Sequence, residues 1–413
     1  MESQEIIQSE TPHCPARAAP GQAASILVVD DTPANLQVLA GMLKDRGYKV
    51  RPVPSGKLAL AAARRNPPDL ILLDINMPEM NGYEVCEHLK ADEKLKGIPI
   101  IFISALTEPL DKVKAFAIGG VDYLTKPFQM EELHARVETH LKLRRLQIDL
   151  EEHSRDLELA RKRIDHDLKL ARRVQHSFLP QRLPQIPGYE FFGYYESAFE
   201  IGGDYYDFIP LSRQRMAVLL GDVAGKGVMA ALLMAKLSAD ARFCMLTEPD
   251  AAAAITKLNS LICQSGIAEQ FVTLMAAVLD PVSHTVMLVN AGHPPPLIYH
   301  HSARTVGEAI NDDAVGVPLG VVDGFEYASC KVALDPGDSI VAFTDGVTDA
   351  MNVQDLQLET TGVYAALNGD ACTPRALIEQ VVQAVKQFST GRNQHDDIAI
   401  VGFGRKDCEL KAQ

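Results

Sequence analysis

The chain has 413 residues, of which 47% are hydrophobic and 23% charged, a balance that suits two or three globular domains with buried cores. Its net charge of −14 argues against nucleic acid or an anionic membrane as the main partner, because binding phosphate groups requires a basic surface. The seven cysteines are scattered and form no Cys-x-x-Cys pair, which argues against a disulfide framework or zinc knuckle and favours the reducing cytoplasm. No run of residues approaches the ~20 apolar positions needed to span a bilayer.

Short, wholly apolar runs alternate with amphipathic segments in the first third of the chain. The runs are Ile26–Val29, Leu70–Leu73 and Ile100–Ile103, and a helix is predicted at Leu36–Gly47, with Gly47 as its stop. Continuous apolar strands that alternate with helices indicate a parallel sheet covered on both faces. We therefore expect an α/β doubly wound domain, in which functional groups gather at the carboxyl ends of the strands.

Carboxylates cluster at this predicted edge of the sheet. Asp30 and Asp31 follow the first apolar run, and Asp74 follows the second. Neighbouring carboxylates repel one another and need a cation, and carboxylate oxygens are ligands that Mg²⁺ prefers. Such an ion would orient a phosphoryl group for attack by one carboxylate, with Ser104 as a hydrogen-bond donor to the phosphate and Lys126 as its counter-charge. Any one of these residues alone is more often a turn or surface residue.

Four motifs in this region resemble the response regulator receiver family: VVDD (28–31), LLDINMPEMNG (72–82), FISA (102–105) and YLTKPF (123–128). The resemblance implies a flavodoxin-like fold that accepts phosphate from a sensor histidine kinase. It also implies a cis bond between Lys126 and Pro127. The residues that it implicates are the phosphoacceptor Asp74; the Mg²⁺ ligands Asp30, Asp31, Asp74 and the Asn76 backbone carbonyl; and the switch residues Ser104, Tyr123 and Lys126.

A charged, helix-forming segment without glycine extends from about residue 129 to residue 182. Apolar residues recur in it with the heptad period, which leaves two interpretations open: one long solvated helix packed on a domain, or a parallel dimeric coiled coil. The length of the repeat favours the coiled coil and therefore a homodimer. The a positions are Leu143, Leu150, Leu157, Ile164, Ala171 and Phe178; the d positions are Leu146, Ala160 and Val174, with the polar residues His153 and Asp167 at the other two.

Strand-like segments dominate after Pro180, Pro184 and Pro187 end the helical segment. Strands come first and helices occur in blocks, which suggests an α+β sandwich. The predicted strands are Phe191–Tyr195, Tyr205–Ile209, Met216–Leu220, Phe271–Leu279, Thr285–Val289 and Ser339–Phe343, and the predicted helices are Val228–Met245, Asp250–Ser265 and Pro374–Phe388.

Four acidic motifs lie at the ends of strand-like runs: GGDYYD (202–207), GDVAGKG (221–227), FTDGVTDA (343–350) and HDDIAI (395–400). A single Asp beside Gly often means only a turn, but all four motifs place Asp next to an apolar run, where an unpaired carboxylate is costly. Three of the four contain no lysine or arginine, so a metal is the expected counter-charge. Oxygen ligands favour two Mg²⁺ or Mn²⁺ ions, and such a pair activates water and stabilises phosphoryl oxygens during hydrolysis.

These motifs, together with ARRVQHSFLP (171–180) and NAGHPPPLIY (290–299), resemble the type 2C metal-dependent serine/threonine phosphatases. The closest resemblance is to the bacterial branch that dephosphorylates antagonists of anti-sigma factors, which implies a four-layer α-β-β-α sandwich. The implied catalytic residues are Asp222, Asp345 and Asp396; the implied metal ligands are these three with Asp204 and the Val223 carbonyl; and Asp207, Asp349 and Asp397 are implied in supporting positions or a further metal site.

Residues 183–204 lack the arginine with which eukaryotic members of this family grip phosphate. The bacterial branch commonly lacks it too. His293 is predicted to be structural, because Pro294 and Pro296 make a rigid turn around it. Lys226 is predicted to be a solvated residue before the helix that begins near Val228.

We therefore predict a cytoplasmic response regulator in which Asp74 phosphorylation controls a phosphatase acting on phosphoserine or phosphothreonine of a protein. Two alternatives stay open. One is a non-catalytic module that sequesters a partner; the other is a diguanylate cyclase, which GGDYY suggests but which leaves the other three acidic motifs unexplained. The predicted domains are a disordered tail (1–24), the receiver (25–143), a helical coiled-coil linker (144–182), the phosphatase (183–406) and a second tail (407–413).

Overall fold

The computed structural model describes residues 23–104, 109–265, 270–368 and 373–407, and both predicted tails lie almost wholly outside these ranges. The chain divides into two compact units between Arg161 and Lys162, so the predicted linker is shared between them. Among the described helices, none has the length and apolar character required to cross a membrane.

The first unit alternates strands and helices, as the apolar runs predict. Parallel pairing throughout gives the strand order β2-β1-β3-β4-β5. The elements are β1 (Ser25–Val29), α1 (Pro33–Lys44), β2 (Lys49–Val53), α2 (Gly56–Arg65), β3 (Leu70–Asp74), α3 (Gly82–Ala91), β4 (Ile100–Ser104), α4 (Pro109–Ala117), β5 (Asp122–Thr125) and α5 (Met130–His176).

Both faces of this sheet are buried, because alternate residues of the apolar strands enter two separate cores. Leu27, Ile71 and Phe102 face one core, whereas Val28 and Ile101 face the other. This arrangement confirms the predicted doubly wound sheet. The first helix begins earlier than predicted, at Pro33, since proline is well suited to the first helical position.

The second unit contains the remaining elements and, in the described residues, two antiparallel-rich sheets. Their strand orders are β13-β10-β9-β8-β7, with β14 also paired to β10, and β12-β11-β15-β16-β6. The elements are β6 (Tyr189–Glu196), β7 (Tyr205–Pro210), β8 (Met216–Val223), α6 (Val228–Thr247), α7 (Ala251–Cys263), β9 (Val272–Asp280), β10 (Thr285–Ala291), β11 (Leu297–His300), β12 (Thr305–Glu308), β13 (Val315–Gly316), β14 (Cys330–Ala333), β15 (Ser339–Phe343), α8 (Asp345–Thr348), α9 (Glu359–Leu367), α10 (Pro374–Phe388) and β16 (Ile398–Arg405).

These elements stack as helices, sheet, sheet and helices. Helices α6 and α7 pack on the sheet that contains β8 and β9, and that sheet contacts the second one through β16. Phe191 and Phe208, from opposite sheets, meet edge-on in the core between them, with 5.8 Å between ring centroids. On the outer side of the second sheet, α9 and α10 cover a core that includes Val381 and Ile400. The layers agree with the predicted α-β-β-α order.

Helix α5 is continuous from Met130 to His176 and carries the predicted heptad repeat as far as Val174. The last predicted a position, Phe178, lies beyond the helix and packs against the core of the second unit, because the chain turns after His176. Leu133 and Val137, near the start of α5, are buried in the core of the first unit. The apolar residues in its middle are instead exposed: Leu143 by 55%, Leu150 by 71%, Leu157 by 72% and Ile164 by 59%.

Candidate metal centres

The carboxyl edge of the receiver-like sheet brings the predicted phosphorylation residues together. Asp30 follows β1, Asp74 and Ser104 end β3 and β4, and Lys126 follows β5. Ligand oxygens of Asp30, Asp31 and Asp74 all lie within 4.8 Å of one another, so these three side chains could hold a single metal ion.

Lys126 is the cation of this cluster. Its Nζ lies 2.8 Å from Asp30 Oδ2 and 3.0 Å from Asp74 Oδ2. Burial alone would lower the pKa of Lys126, but hydrogen bonds to these two carboxylates raise it. Burial raises the pKa of Asp74, and the charge of Asp30 raises it further, while Lys126 opposes the shift. The residues therefore hold a compact, partly neutralised acidic site.

The other predicted receiver residues surround this cluster. The Lys126–Pro127 bond is cis, as the resemblance implies. Asn76 is exposed two residues after Asp74. Tyr123, on β5, makes an edge-to-face contact with Phe116, with 6.2 Å between the ring centroids.

In the second unit, the acidic motifs converge at one edge of the two sheets. Asp204, just before β7, is buried, and its carboxyl group lies close enough to that of Asp222, near the end of β8, for the charge of Asp222 to raise its pKa. The Thr344 hydroxyl donates to Asp204 Oδ2 at 2.7 Å. Because GGDYYD and FTDGVTDA meet in this way, the diguanylate cyclase interpretation, which uses only the first motif, does not account for the site.

The negative charges of this cluster repel one another. Burial, followed by the charge of Asp345, raises the pKa of Asp222 to about 7, and Asp396 adds to the shift. Burial and the charge of Asp222 raise the pKa of Asp204 well above its usual value. The pKa of Asp345 is raised as well, by burial and then by Asp396 and Asp349. Such mutual repulsion is relieved by a cation held among the oxygens.

Lys226 supplies one positive charge to this cluster. Its Nζ lies 2.9 Å from Asp396 Oδ2 and donates to the His395 carbonyl oxygen at 2.5 Å. Lys226 is exposed, as the sequence predicts, but it also pairs with Asp396, which the sequence does not predict. The contact with His395 joins residues 169 positions apart, which no local pattern reveals.

Asp397 holds two loops together next to the cluster. Its Oδ1 accepts from the Ala198 backbone at 2.8 Å, and its Oδ2 accepts from the Gly203 backbone at 2.6 Å. A Cβ at position 346 would overlap the Asp397 carbonyl oxygen, so the glycine of the Asp345-Gly346 pair is required by this close approach. We assign Asp397 to positioning the loop that carries Asp204.

Asp207 has a protein counter-charge. It is fully buried, with Arg242 Nε 2.6 Å from its Oδ2. The Tyr205 hydroxyl and the Phe208 backbone N–H also donate to it, each at 2.8 Å. Because these partners occupy both carboxylate oxygens, we assign Asp207 a role in stabilising the fold and not in binding a metal. The expectation that a metal balances this motif overlooked Arg242, which is distant in sequence.

Replacing Asp207 with alanine is expected to lower the free energy of unfolding by about 2–3 kcal/mol, since the buried Tyr205 hydroxyl loses its acceptor. Arg242 is half exposed and can turn to water, which limits the cost. Urea denaturation measures the loss. The Mn²⁺ affinity of the folded variant, measured by calorimetry, should equal that of the wild type. Weaker Mn²⁺ binding would indicate that Asp207 belongs to the metal site after all.

Two further predicted residues lie close by. Asp349 is exposed, near Asp345, and accepts from Gln357 Nε2 at 3.2 Å. His293 is buried, and burial lowers its pKa to about 3, so the ring is neutral. Its Nδ1 lies 2.9 Å from Thr273 Oγ1, and its backbone N–H donates to Asn290 Oδ1 at 2.7 Å. These contacts support the structural role predicted for His293.

The donor set suits Mg²⁺ or Mn²⁺, because Asp204, Asp222, Asp345 and Asp396 offer only oxygen atoms. Val223 ends β8, and a Cβ at Gly203 would lie 3.0 Å from its carbonyl oxygen, so this predicted ligand also adjoins the loop before Asp204. The spacing is wider than in the receiver: among the described residues, only the receiver carboxylates bring three ligand groups within 4.8 Å.

Comparison with known proteins identifies both halves of the chain. The family model of the response regulator receiver domain matches residues 26–138, and that of Stage II sporulation protein E (SpoIIE) matches residues 212–406. In fold, the SiaA-PP2C domain of Pseudomonas aeruginosa is similar with a TM-score of 0.52 and 21% identity, covering 60% of this chain and 99% of that one.

Curated relatives match the first half. The DNA-binding response regulator MtrA of Mycolicibacterium smegmatis is 42% identical over 117 residues, which are 28% of this chain and 50% of MtrA. A probable cyclic di-GMP phosphodiesterase of Vibrio cholerae is 41% identical over 121 residues, 29% of this chain and 27% of that protein. The chain thus spans between about a quarter and a half of these relatives' length. The family models thus find a receiver domain in residues 26–138 and a SpoIIE domain, of the PP2C phosphatase type, in residues 212–406.

Proposed function

We propose that the chain is a signal-controlled protein phosphatase that removes phosphate from phosphoserine or phosphothreonine of a protein substrate. The observation that carries the proposal is the convergence of Asp204, Asp222, Asp345 and Asp396 at one edge of a SpoIIE-family domain. By family resemblance, the substrate is an anti-sigma-factor antagonist. The presence of all these carboxylates argues against a module that only sequesters its partner.

Asp222, Asp345 and Asp396 would hold the metal ions, with Asp204 and the Val223 carbonyl beside them. When bound, two Mg²⁺ or Mn²⁺ ions supply the Lewis acidity that lowers the pKa of water and stabilises phosphoryl oxygens. The chain's own contribution is to fix the positions of the metal ligands. The Thr344 hydroxyl holds the Asp204 carboxylate, and the Asp397 carboxylate binds backbone N–H groups near both ends of the loop that precedes Asp204. Fixed ligands of this kind need little reorganisation during the reaction.

The receiver would set the activity of this site. Asp74, which lies beside Asp31 and Lys126, would accept a phosphoryl group from a sensor histidine kinase in the cytoplasm, with Mg²⁺ bound by Asp30, Asp31, Asp74 and the Asn76 carbonyl. Ser104, at the end of β4, and Tyr123, on β5, would respond as switch residues. Phosphorylation would shift the receiver between two states, and the contacts that differ between them would reach α5.

The exposed heptad residues of α5 support a parallel dimeric coiled coil. Burying these leucines against a second copy removes apolar surface from water, at roughly 1.5–3 kcal/mol for each side chain. Isolated surface leucines are ordinary, but a repeating row of them is typical of a helix partner. A homodimer would also contain two receivers, and both would then be joined to the same coiled coil.

Replacing Leu157 with lysine is expected to weaken the dimer by at least about 10²-fold, because each chain then brings a charge into the seam. Sedimentation velocity over a range of concentrations measures the change. Leu159→Lys is the matched control, since Leu159 is 50% exposed in the same turn but lies off the seam. Equal sedimentation of both variants and the wild type would contradict the coiled coil.

The phosphatase assignment is tested on purified full-length chain with a phosphoserine-containing antagonist protein and Mn²⁺. We expect release of phosphate that a chelator stops and that Mn²⁺ restores. Phosphotyrosine in the same protein context should be hydrolysed far more slowly. Tight binding of the phosphoprotein without hydrolysis would instead support the sequestering module.

A further inference from the structure

The motif ARRVQHSFLP ends α5 with a buried amide. Gln175, the penultimate residue of the helix, is only 5% exposed. Its Nε2 donates to the Gly202 carbonyl oxygen at 2.5 Å, and its Oε1 accepts from the Gly202 N–H at 3.1 Å. One side chain therefore satisfies both backbone groups of a single residue in the loop before β7. The two bonds together fix both the position and the orientation of Gly202.

The segment held by Gln175 leads directly to the carboxylates. Gly203 donates its N–H to Asp397 Oδ2 at 2.6 Å, and the next residue is Asp204. A Cβ at position 202 would overlap both Asp397 Oδ2 and the Tyr195 hydroxyl, so there is no free space around this backbone. In packing this close, a displacement of Gly202 must move Asp204 or Asp397 as well.

The neighbour of Gln175 in the helix contacts the same place. The ring of His176 meets that of Tyr195 edge-on, with 5.8 Å between centroids. The Tyr195 hydroxyl is buried, and within the described part of the chain it has no hydrogen-bond partner. The last turn of α5 thus contacts the Gly202 loop directly through the buried Gln175, and it contacts Tyr195 of β6, whose hydroxyl lies next to Gly202, through His176.

We propose that Gln175 is a positioning residue that links the end of α5 to the metal-binding edge of the phosphatase domain. Its amide sets the Gly202–Gly203 backbone and, through it, the carboxyl groups of Asp204 and Asp397. The inference rests on the proposed phosphatase function and names the contact through which α5 would act on that site. A shift of the last helical turn would change metal affinity and turnover without a change in the substrate-binding surface.

The test compares Gln175→Leu and Gln175→Glu with Gln181→Leu in the full-length protein. Gln181 is the matched control, because its Nε2 also donates to two backbone carbonyls at this helix end, those of His176 and Leu179, but does not reach Gly202. Calorimetry gives the Mn²⁺ affinity, and phosphoserine hydrolysis gives kcat and KM. Orientation of metal ligands by outer residues is typically worth about 10–100-fold.

We expect Gln175→Leu to weaken Mn²⁺ binding about 10-fold and to lower kcat with KM within twofold of the wild type. Gln175→Glu keeps an acceptor for the Gly202 N–H, so its Mn²⁺ affinity and kcat should lie between those of the wild type and of Gln175→Leu. If the leucine variant does not fold, the glutamate variant decides the question. Gln181→Leu should match the wild type. Mn²⁺ affinity and kcat within twofold of the wild type in the folded Gln175 variants, or an equal effect of Gln181→Leu, would overturn the proposal.

The calorimetric readout separates this inference from the proposed function. If the wild type binds Mn²⁺ but hydrolyses no phosphoserine, the proposed function fails while the effect of Gln175 on metal binding can still be measured. If hydrolysis is found and the Gln175 variants bind Mn²⁺ as the wild type does, only the positioning role fails.

Discussion

Replacing Asp222 with asparagine is expected to reduce the rate of phosphoserine hydrolysis by about 10³-fold, equivalent to roughly 4 kcal/mol of lost transition-state stabilisation. Asp222 occupies the centre of the cluster, since its charge raises the pKa of Asp204 and its own pKa is raised by Asp345 and Asp396. The amide has nearly the same shape but no negative charge, so it is a poor bridging ligand. Phosphate release at saturating Mn²⁺ measures the effect.

Asp280→Asn is the matched control for this variant. Asp280 ends β9 in the same sheet, and its Oδ1 accepts from the Val282 backbone at 2.9 Å, a role that an asparagine oxygen retains. The control should keep the wild-type rate. Retention of activity in Asp222→Asn, with Mn²⁺ bound normally, would show that the acidic cluster is not the catalytic site.

Replacing Asp74 with asparagine is expected to abolish both phosphorylation of the receiver and the response of the phosphatase to a phosphodonor. In the proposed function, the Asp74 carboxylate is the nucleophile that forms the acyl phosphate, and an amide cannot replace it. Mass spectrometry of the intact protein after incubation with acetyl phosphate measures the first effect. The rate of phosphoserine hydrolysis with and without the donor measures the second.

Asp69→Asn is the corresponding control, because Asp69 precedes the same strand at its opposite end. There its Oδ2 accepts from the Ser25 backbone at 2.7 Å, which asparagine can also do. Phosphorylation and donor response should survive in this variant. A donor response that persists in Asp74→Asn would mean that the receiver is phosphorylated elsewhere or that the donor acts on the phosphatase domain directly.

The receiver fold was largely predictable because its signals are local. Each apolar run that ends in a polar residue became a strand that ends at the functional edge, as with Leu70–Leu73 and Asp74. The strand β2 was missed, since Pro52 and its partly exposed residues interrupt the apolar pattern. Helix ends depended on single residues such as Pro33, whose effect on the first turn is local as well.

The phosphatase site was predictable in its carboxylates but not in their partners. Four motifs of the same form indicated convergence, and the charges of Asp222, Asp345 and Asp396 lie close enough to raise the pKa values of their neighbours. The pairing of Asp207 with Arg242 and the contact of Lys226 with Asp396 depend on tertiary packing, which spacing along the chain does not report. In the sequence, Gln175 stood out only as part of the motif ARRVQHSFLP. That its side chain is buried can be seen only in the structure.

Helix α5 contains neither glycine nor proline in its 47 residues, and helices kink mainly at such residues. Within the second unit, the part of this helix from Lys162 to Gln175 therefore has no residue of the kind that forms a hinge. Because each residue turns an α-helix by about 100°, the number of residues between Ile164 and Gln175 fixes the phase of Gln175 relative to the heptad repeat. Adding one residue between them would turn Gln175 away from that phase, whereas adding a whole heptad would nearly restore it. If α5 acts on the site as proposed, the length of the helix would itself be part of the signal.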